Sequence, residues 1–176
     1  MTHLLRWPVI TAAMLCVFVS AGFGGREHKQ NTLRATLSGF NEVPPINTNG
    51  EAKFKMKIEG NQIIYTLTYS GLTSNITQSH VHFGQKGVNG GIFFFLCSNL
   101  GNGPAGTPTC PATGGTVTGT ITAASIVPVA AQNVASGDFA SALNIIRTGE
   151  GYANLHTMNF PAGEIRGQVK ATDDDD

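Results

Sequence analysis

Apolar and polar residues alternate with period two along most of this chain, and that alternation predicts strands rather than helices. The clearest case is the pair Glu51 to Ile58 and Gln62 to Ser70 around a Glu59-Gly60-Asn61 turn. Ala52, Phe54, Met56 and Ile58 share one face, and Ile63, Tyr65, Leu67 and Tyr69 match them across the hairpin. Leu33 to Ser38 precedes this hairpin as a strand, followed by Asn41-Glu42-Val43-Pro44-Pro45. That segment reads as an extended edge, because neither proline has the amide donor a central ladder needs. Further strands are predicted at Ser79 to Phe83, at the continuous apolar run Ile92 to Leu96, and at Gly115 to Thr122. The run containing Phe93-Phe94-Phe95 fits a core strand buried on both faces.

Near the C-terminus, Tyr152 to His156 and Glu164 to Val169 flank a Pro161-Ala162-Gly163 turn. Tyr152, Asn154 and His156 fall on one face and Ala153 and Leu155 on the other, while Glu164, Arg166 and Gln168 share a face of the second strand. So much polar material must meet water or be satisfied internally. The period changes once. Phe139, Leu143 and Ile146 recur at i, i+4 and i+7, opened by Ser136 or Gly137 and closed by Gly149, which predicts one short helix. The expected architecture is all-β, a Greek-key-like β-sandwich or barrel of about eight or nine strands.

Composition narrows this picture. A chain of 176 residues with 41% hydrophobic and 12% charged residues can build one real core. Met1 to Ala21 has a basic start, an apolar stretch and small residues at Val19-Ser20-Ala21, the pattern of a signal peptide. The expected organisation is a leader over residues 1–21, an arm over 22–32, a β domain over 33–170 and an acidic tail over 171–176. Such a chain is secreted or otherwise extracytoplasmic, with no membrane span after cleavage. Removal of Cys16 leaves Cys97 and Cys110, an even pair expected to form a disulfide across a loop without periodicity. Thiolate metal ligation is opposed by the oxidising compartment and the lack of a CxxC spacing. Basic and acidic residues number 11 each, and Lys53, Lys55 and Lys57 read as the wet side of a half-buried strand. Nucleic acid would need a broader basic surface.

One pattern carries chemistry. His80 and His82 stand at i and i+2, so their imidazoles point the same way from a strand, close enough to share an ion. Asn75-Ile76-Thr77 is a glycosylation sequon, relevant only in a eukaryotic secretory pathway.

Glu42-Val43-Pro44-Pro45, His80-Val81-His82-Phe83-Gly84, Gly87-Val88-Asn89-Gly90, and Asn154-Leu155-His156-Thr157 running into Pro161-Ala162-Gly163-Glu164-Ile165-Arg166-Gly167-Gln168 occur in an order that resembles the CHRD domain. The resemblance covers nearly all of the chain beyond the leader. It implies a β-sandwich or barrel module of extracytoplasmic proteins, and strand ends that bring His156 beside His80 and His82. Three imidazoles with an open position suit copper or zinc. The alternative is a polar cluster in which His156, Asn154, Glu164 and Arg166 satisfy one another, in a structural or adhesive module with an envelope or extracellular protein partner. The His-Val-His strand also resembles the copper strand of copper-zinc superoxide dismutase, with Arg166 the sole candidate for a catalytic side chain. That enzyme's copper needs four histidines, and only His80, His82 and His156 lie in this domain. A binding module is therefore expected ahead of a redox enzyme.

Overall fold

A computed structural model describes residues 31–172; the leader, most of the arm and the tail beyond Thr172 lie outside the described residues. The alternating segments become nine strands: β1 (Thr32–Ser38), β2 (Glu51–Glu59), β3 (Gln62–Ser70), β4 (Ile76–Phe83), β5 (Gly91–Ser98), β6 (Gly115–Ile121), β7 (Gly151–Thr157), β8 (Ile165–Gln168) and β9 (Lys170–Ala171). A single helix, α1 (Phe139–Arg147), lies between β6 and β7. The sheet runs β5-β4-β7-β8-β1-β2-β3-β6, with β9 also on β1, and every pairing is antiparallel. The β4–β5 hairpin sits at one end of this order while β6 returns to pair with β3, so the chain crosses the barrel after β3. The end strands β5 and β6 nearly close the sheet on itself, and Tyr65 on β3 donates its hydroxyl to the Leu96 carbonyl of β5 across that seam. The free edge of β5 is further covered where Val127 N donates to Phe93 O at 3.0 Å.

The apolar set predicted for the β2–β3 hairpin fills the barrel. Phe54 pairs with Leu67 and Met56 with Tyr65, all of them buried. Leu33 and Leu37 from β1, Val81 from β4, Leu155 from β7 and Ile165 from β8 join them with no exposed area. Each such aliphatic side chain contributes about 1.5–3 kcal/mol of burial. Phe93 and Phe94 are buried as expected of a core strand, but Phe95 is only half-buried and meets His80. The helix begins at Phe139, not at Ser136 or Gly137, because the Asp138 carboxylate accepts from Ser141 N and caps it. Its most buried stripe is Ala142, Ile145 and Ile146, with Phe139 and Leu143 at its margins. Asn41 to Pro45 joins no strand. Gly39–Asn41 forms a turn of 3-10 helix, and the rest lies over the outer face of the sheet.

Register decides where the polar face goes. Residues directly opposite in neighbouring strands point to the same side, and His80 faces Asn154, Asn154 faces Arg166, and Arg166 faces Ser38. This row belongs to the outer face, since Val81, Ala153 and Leu155 between its members are in the core. It is nevertheless buried. The turns around Glu42, Asn89 and Pro161 cover it, so every residue of β7 is buried on both faces.

Candidate metal centre

His80, His82 and His156 come together under those turns. Each offers one imidazole nitrogen, and the three nitrogens lie within 4.8 Å of one another. Ring centroids are 4.9 Å apart for His80 and His156 and 5.4 Å apart for His80 and His82. The β4–β5 ladder shifts register between Ser79 and His80 and again between Val81 and His82. Each histidine of the pair thus stands at a local irregularity, the kind of feature that re-aims a side chain. His80 has no exposed area, and His82 at 8% and His156 at 7% are also buried.

The hydrogen bonds around the rings leave the right atoms free. His82 Nδ1 lies 3.0 Å from the Gly90 carbonyl and His156 Nδ1 lies 3.0 Å from the Pro161 carbonyl. A carbonyl can only accept, so each Nδ1 carries the proton and each Nε2 presents a lone pair. Neither Nε2 has a partner, and neither ring nitrogen of His80 has one, although all four atoms are buried. Buried polar atoms without partners cost about 1–3 kcal/mol each, and a ring held through Nδ1 to a carbonyl is the usual support of a metal-ligating imidazole. An ion at about 2.1 Å from each nitrogen needs those nitrogens about 3.4–4.2 Å apart, which an ångström or so of side-chain adjustment supplies. Three neutral nitrogens suit copper or zinc and leave a position open. The residues present therefore fit the ion.

Electrostatics keeps the set neutral. Burial is the largest cause pushing the His80 imidazole down to about 2, with His156 and His82 adding to it, and pushing His82 down to about 4 against the opposing Gly90 carbonyl, with His156 and Arg166 adding to it. His156 is pushed down by burial against a smaller opposing effect of the Pro161 carbonyl. Neutral imidazole is the form that ligates, so no proton has to leave near neutral pH.

The remaining residues of the polar face do not satisfy one another as the alternative expected. Glu164 turns away from Arg166: its Oε1 accepts from Thr48 Oγ1 at 2.7 Å and Thr73 N at 2.9 Å, and its Oε2 accepts from Thr73 Oγ1 at 2.9 Å and Thr157 Oγ1 at 2.7 Å. No ion pair links Glu164 and Arg166; among the described residues the salt bridge formed is Lys57 with Glu59. Arg166 instead holds the covering turns, donating from Nε to Asn41 O at 2.8 Å and from Nη1 to Asn89 Oδ1 at 2.9 Å. Its guanidinium lies 4.5 Å from the Tyr152 ring centre, and Tyr152 stacks in turn on His82 at 4.8 Å. Asn154 leaves Oδ1 unpartnered beside Glu42, whose Oε1 is also buried and unpartnered. Burial outweighs the nearby Arg166 charge and raises the Glu42 carboxyl to about 7. Glu42 and Tyr152 were not among the site residues expected from sequence. The signal for Glu42 was an acid ahead of Val43-Pro44-Pro45, where nothing local calls for a charge. Cys97 and Cys110 form the expected disulfide, with Cα atoms 5.3 Å apart.

A near-closed antiparallel β-barrel with a disulfide-closed loop and a covered histidine cluster defines the class as a disulfide-stapled β module. A family model of the CHRD domain matches residues 33–169, and the chain belongs to that family. No curated protein and no solved structure matches the chain. No described helix is long and apolar enough to cross a membrane, and the disulfide fits an oxidising compartment.

Proposed function

We propose that this chain is an exported CHRD module that binds one transition-metal ion, copper before zinc, through His80, His82 and His156. The observation that carries it is the set of buried, unpartnered nitrogens: Nε2 of His82 and His156, each ring anchored through Nδ1, with both nitrogens of His80. His82 and His156 hold their rings in fixed orientation, and His80 completes the set from the floor of the site. Tyr152 and Phe95 wall it, stacking on His82 and meeting His80 edge-on at 4.6 Å. Bound copper would supply Lewis acidity and one-electron chemistry. Capture or storage of the ion is the role favoured, because Arg166 is occupied in holding Asn41 and Asn89. Export is part of the proposal, supported by the leader-like pattern of Met1 to Ala21 and by the disulfide.

The test is metal content and copper and zinc titration of the purified domain beside His82→Ala. One ion per chain, lost in the variant, is the expected result. No binding by the native protein would overturn the proposal and leave a structural or adhesive module with a histidine-lined polar layer.

A further inference from the structure

A second surface on this barrel has a chemistry of its own. The outer face of β2 carries Lys53, Lys55 and Lys57, all exposed. Register sets Lys55 directly opposite Arg34 of β1, and sets Arg34 opposite Lys170 of β9. Three cationic residues thus stand in one row across three adjacent strands, whose backbones lie about 4.8 Å apart. Like charges placed directly opposite destabilise a sheet, so folding alone does not favour this arrangement. Beside that row a cleft of about 340 Å³ opens over β1 and β8, lined by Arg34, Lys86, Arg166 and Lys170 and by no carboxylate. Arg166 forms part of its wall, is only 3% exposed, and makes no ion pair. Burial raises the carboxyl of Glu42, which interacts with Arg166, to about 7, so near neutral pH it counters the guanidinium only in part. A buried guanidinium only partly countered, in a cleft lined by no carboxylate, leaves that cleft positive. Of the described residues' lysines and arginines, every one but Arg147 lies on β1, β2, β9 or the cleft, and Arg147 on α1 reaches Asn31 beside the start of β1.

We infer that this face binds an extended anionic polysaccharide, sulfated or rich in uronic acid, with the cleft taking one oxyanion group and the Lys55-Arg34-Lys170 row taking its neighbours. Glu51 and Glu59 bound the strip at the two ends of β2, which limits the contact to a few sugar residues. Exposed Phe40 and Val88 adjoin the cleft through their neighbours Asn41 and Gly87, one ring and one aliphatic side chain, short of the successive rings on which bases stack and of the broad apolar face that enters a lipid surface, so a chain of fixed oxyanions fits it better than nucleic acid or membrane. The histidines take no part in this contact, and because Arg166 serves both sites the test is placed at Lys55 and Lys170 instead.

The experiment uses the exported chain with its tail, and heparin and polygalacturonate as probes, titrated at low and near-physiological salt. Binding is expected to weaken steeply with salt. Lys55→Gln with Lys170→Gln should weaken it at least about tenfold, whereas Leu100→Glu with Ala105→Glu, the same change in net charge placed on the exposed disulfide loop, should leave it within about twofold. All four positions are exposed, so these variants are expected to fold, which circular dichroism checks. Absence of binding to both probes, equal losses in the two double variants, or equally tight binding to single-stranded DNA or to anionic vesicles would overturn the inference. A chain lacking Asp173 to Asp176 separates the probes from the protein's own acids: tighter binding on deletion is expected if the tail competes for the strip, and weaker binding would count against it.

Discussion

Glu42 and the histidines make opposite demands on pH. A carboxyl displaced from 4.5 to about 7 keeps its proton in the fold between those values while the unfolded chain has lost it. Its contribution is fully present below about 4.5 and is lost as pH rises through about 7, to a limit of roughly 3 kcal/mol at 1.36 kcal/mol per pH unit. Glu42→Gln removes the titration and keeps the shape. The variant should therefore be more stable than the parent at pH 8, with the difference vanishing by about pH 4.5, as urea midpoints would show. Equal pH dependence in both proteins would mean that Glu42 ionises freely. His82 has the opposite sign: its value falls to about 4, so below 6.5 the unfolded chain takes up a proton that the fold refuses. Metal-free protein should lose stability as pH falls from 6.5 towards about 4, and His82→Gln should flatten that loss. The unpartnered nitrogens add to the cost of the metal-free state, and a ligand that occupies them offsets it.

The turns that cover the sheet are the elements on which the site depends. Gly90 has no room for a side chain, since a Cβ there would lie 1.6 Å from the Phe83 carbonyl oxygen. Its own carbonyl fixes the His82 ring, and its amide donates to the Tyr152 hydroxyl at 3.2 Å. Gly90→Ala should therefore move the carbonyl and weaken copper or zinc binding about 10–100-fold, the usual cost of losing such a support, in a chain that still shows a β-sheet spectrum. Unchanged affinity would show that the turn does not orient the ring. Gly163 answers for the opposite turn: at φ +131° a Cβ would meet Asn154 Oδ1 and Glu42 Oε1, each at 2.8 Å. These elements also mark what was legible in the sequence. Period-two alternation sets which residues share a face and a short turn sets the antiparallel direction, so the β2–β3 hairpin and the shared face of His80 and His82 could be read from spacing. Residue spacing could not say that the outer face of β7 lies under turns, because burial by a distant segment leaves no periodic trace. For the same reason the partners of Glu164 escaped it: Thr48, Thr73 and Thr157 come from three separate parts of the chain. The lysines of β2 were readable as a wet face, but their joining to Arg34 and Lys170 depends on which strands pair.

For the molecule as a whole, the barrel is closed by two devices of different strength, and they predict different responses to reduction. On the β1-β2-β3 side the ladders are long and continuous, with nine residue pairs between β2 and β3 alone. At the β5–β6 seam there is no ladder; closure rests on the Tyr65 contact, on Val127, and on the Cys97–Cys110 loop, within which Ser98 N donates to Pro108 O at 2.9 Å. A loop of this size closed by a disulfide contributes about 3 kcal/mol in the chain-entropy model. Reduction should therefore lower global stability by about 2–4 kcal/mol, and it should act locally first, raising hydrogen exchange in β5 and β6 before β1 to β3. His80 of β4 pairs directly with Phe95 of β5, so loosening that strand reaches the floor of the histidine centre. Copper or zinc affinity should then fall when the disulfide is absent even though no cysteine is a ligand, and titration of Cys97→Ser with Cys110→Ser beside the parent, with no reductant to bind the ion, measures it. Unchanged affinity, with β5 exchanging faster, would place the histidine set on β4 and β7 alone.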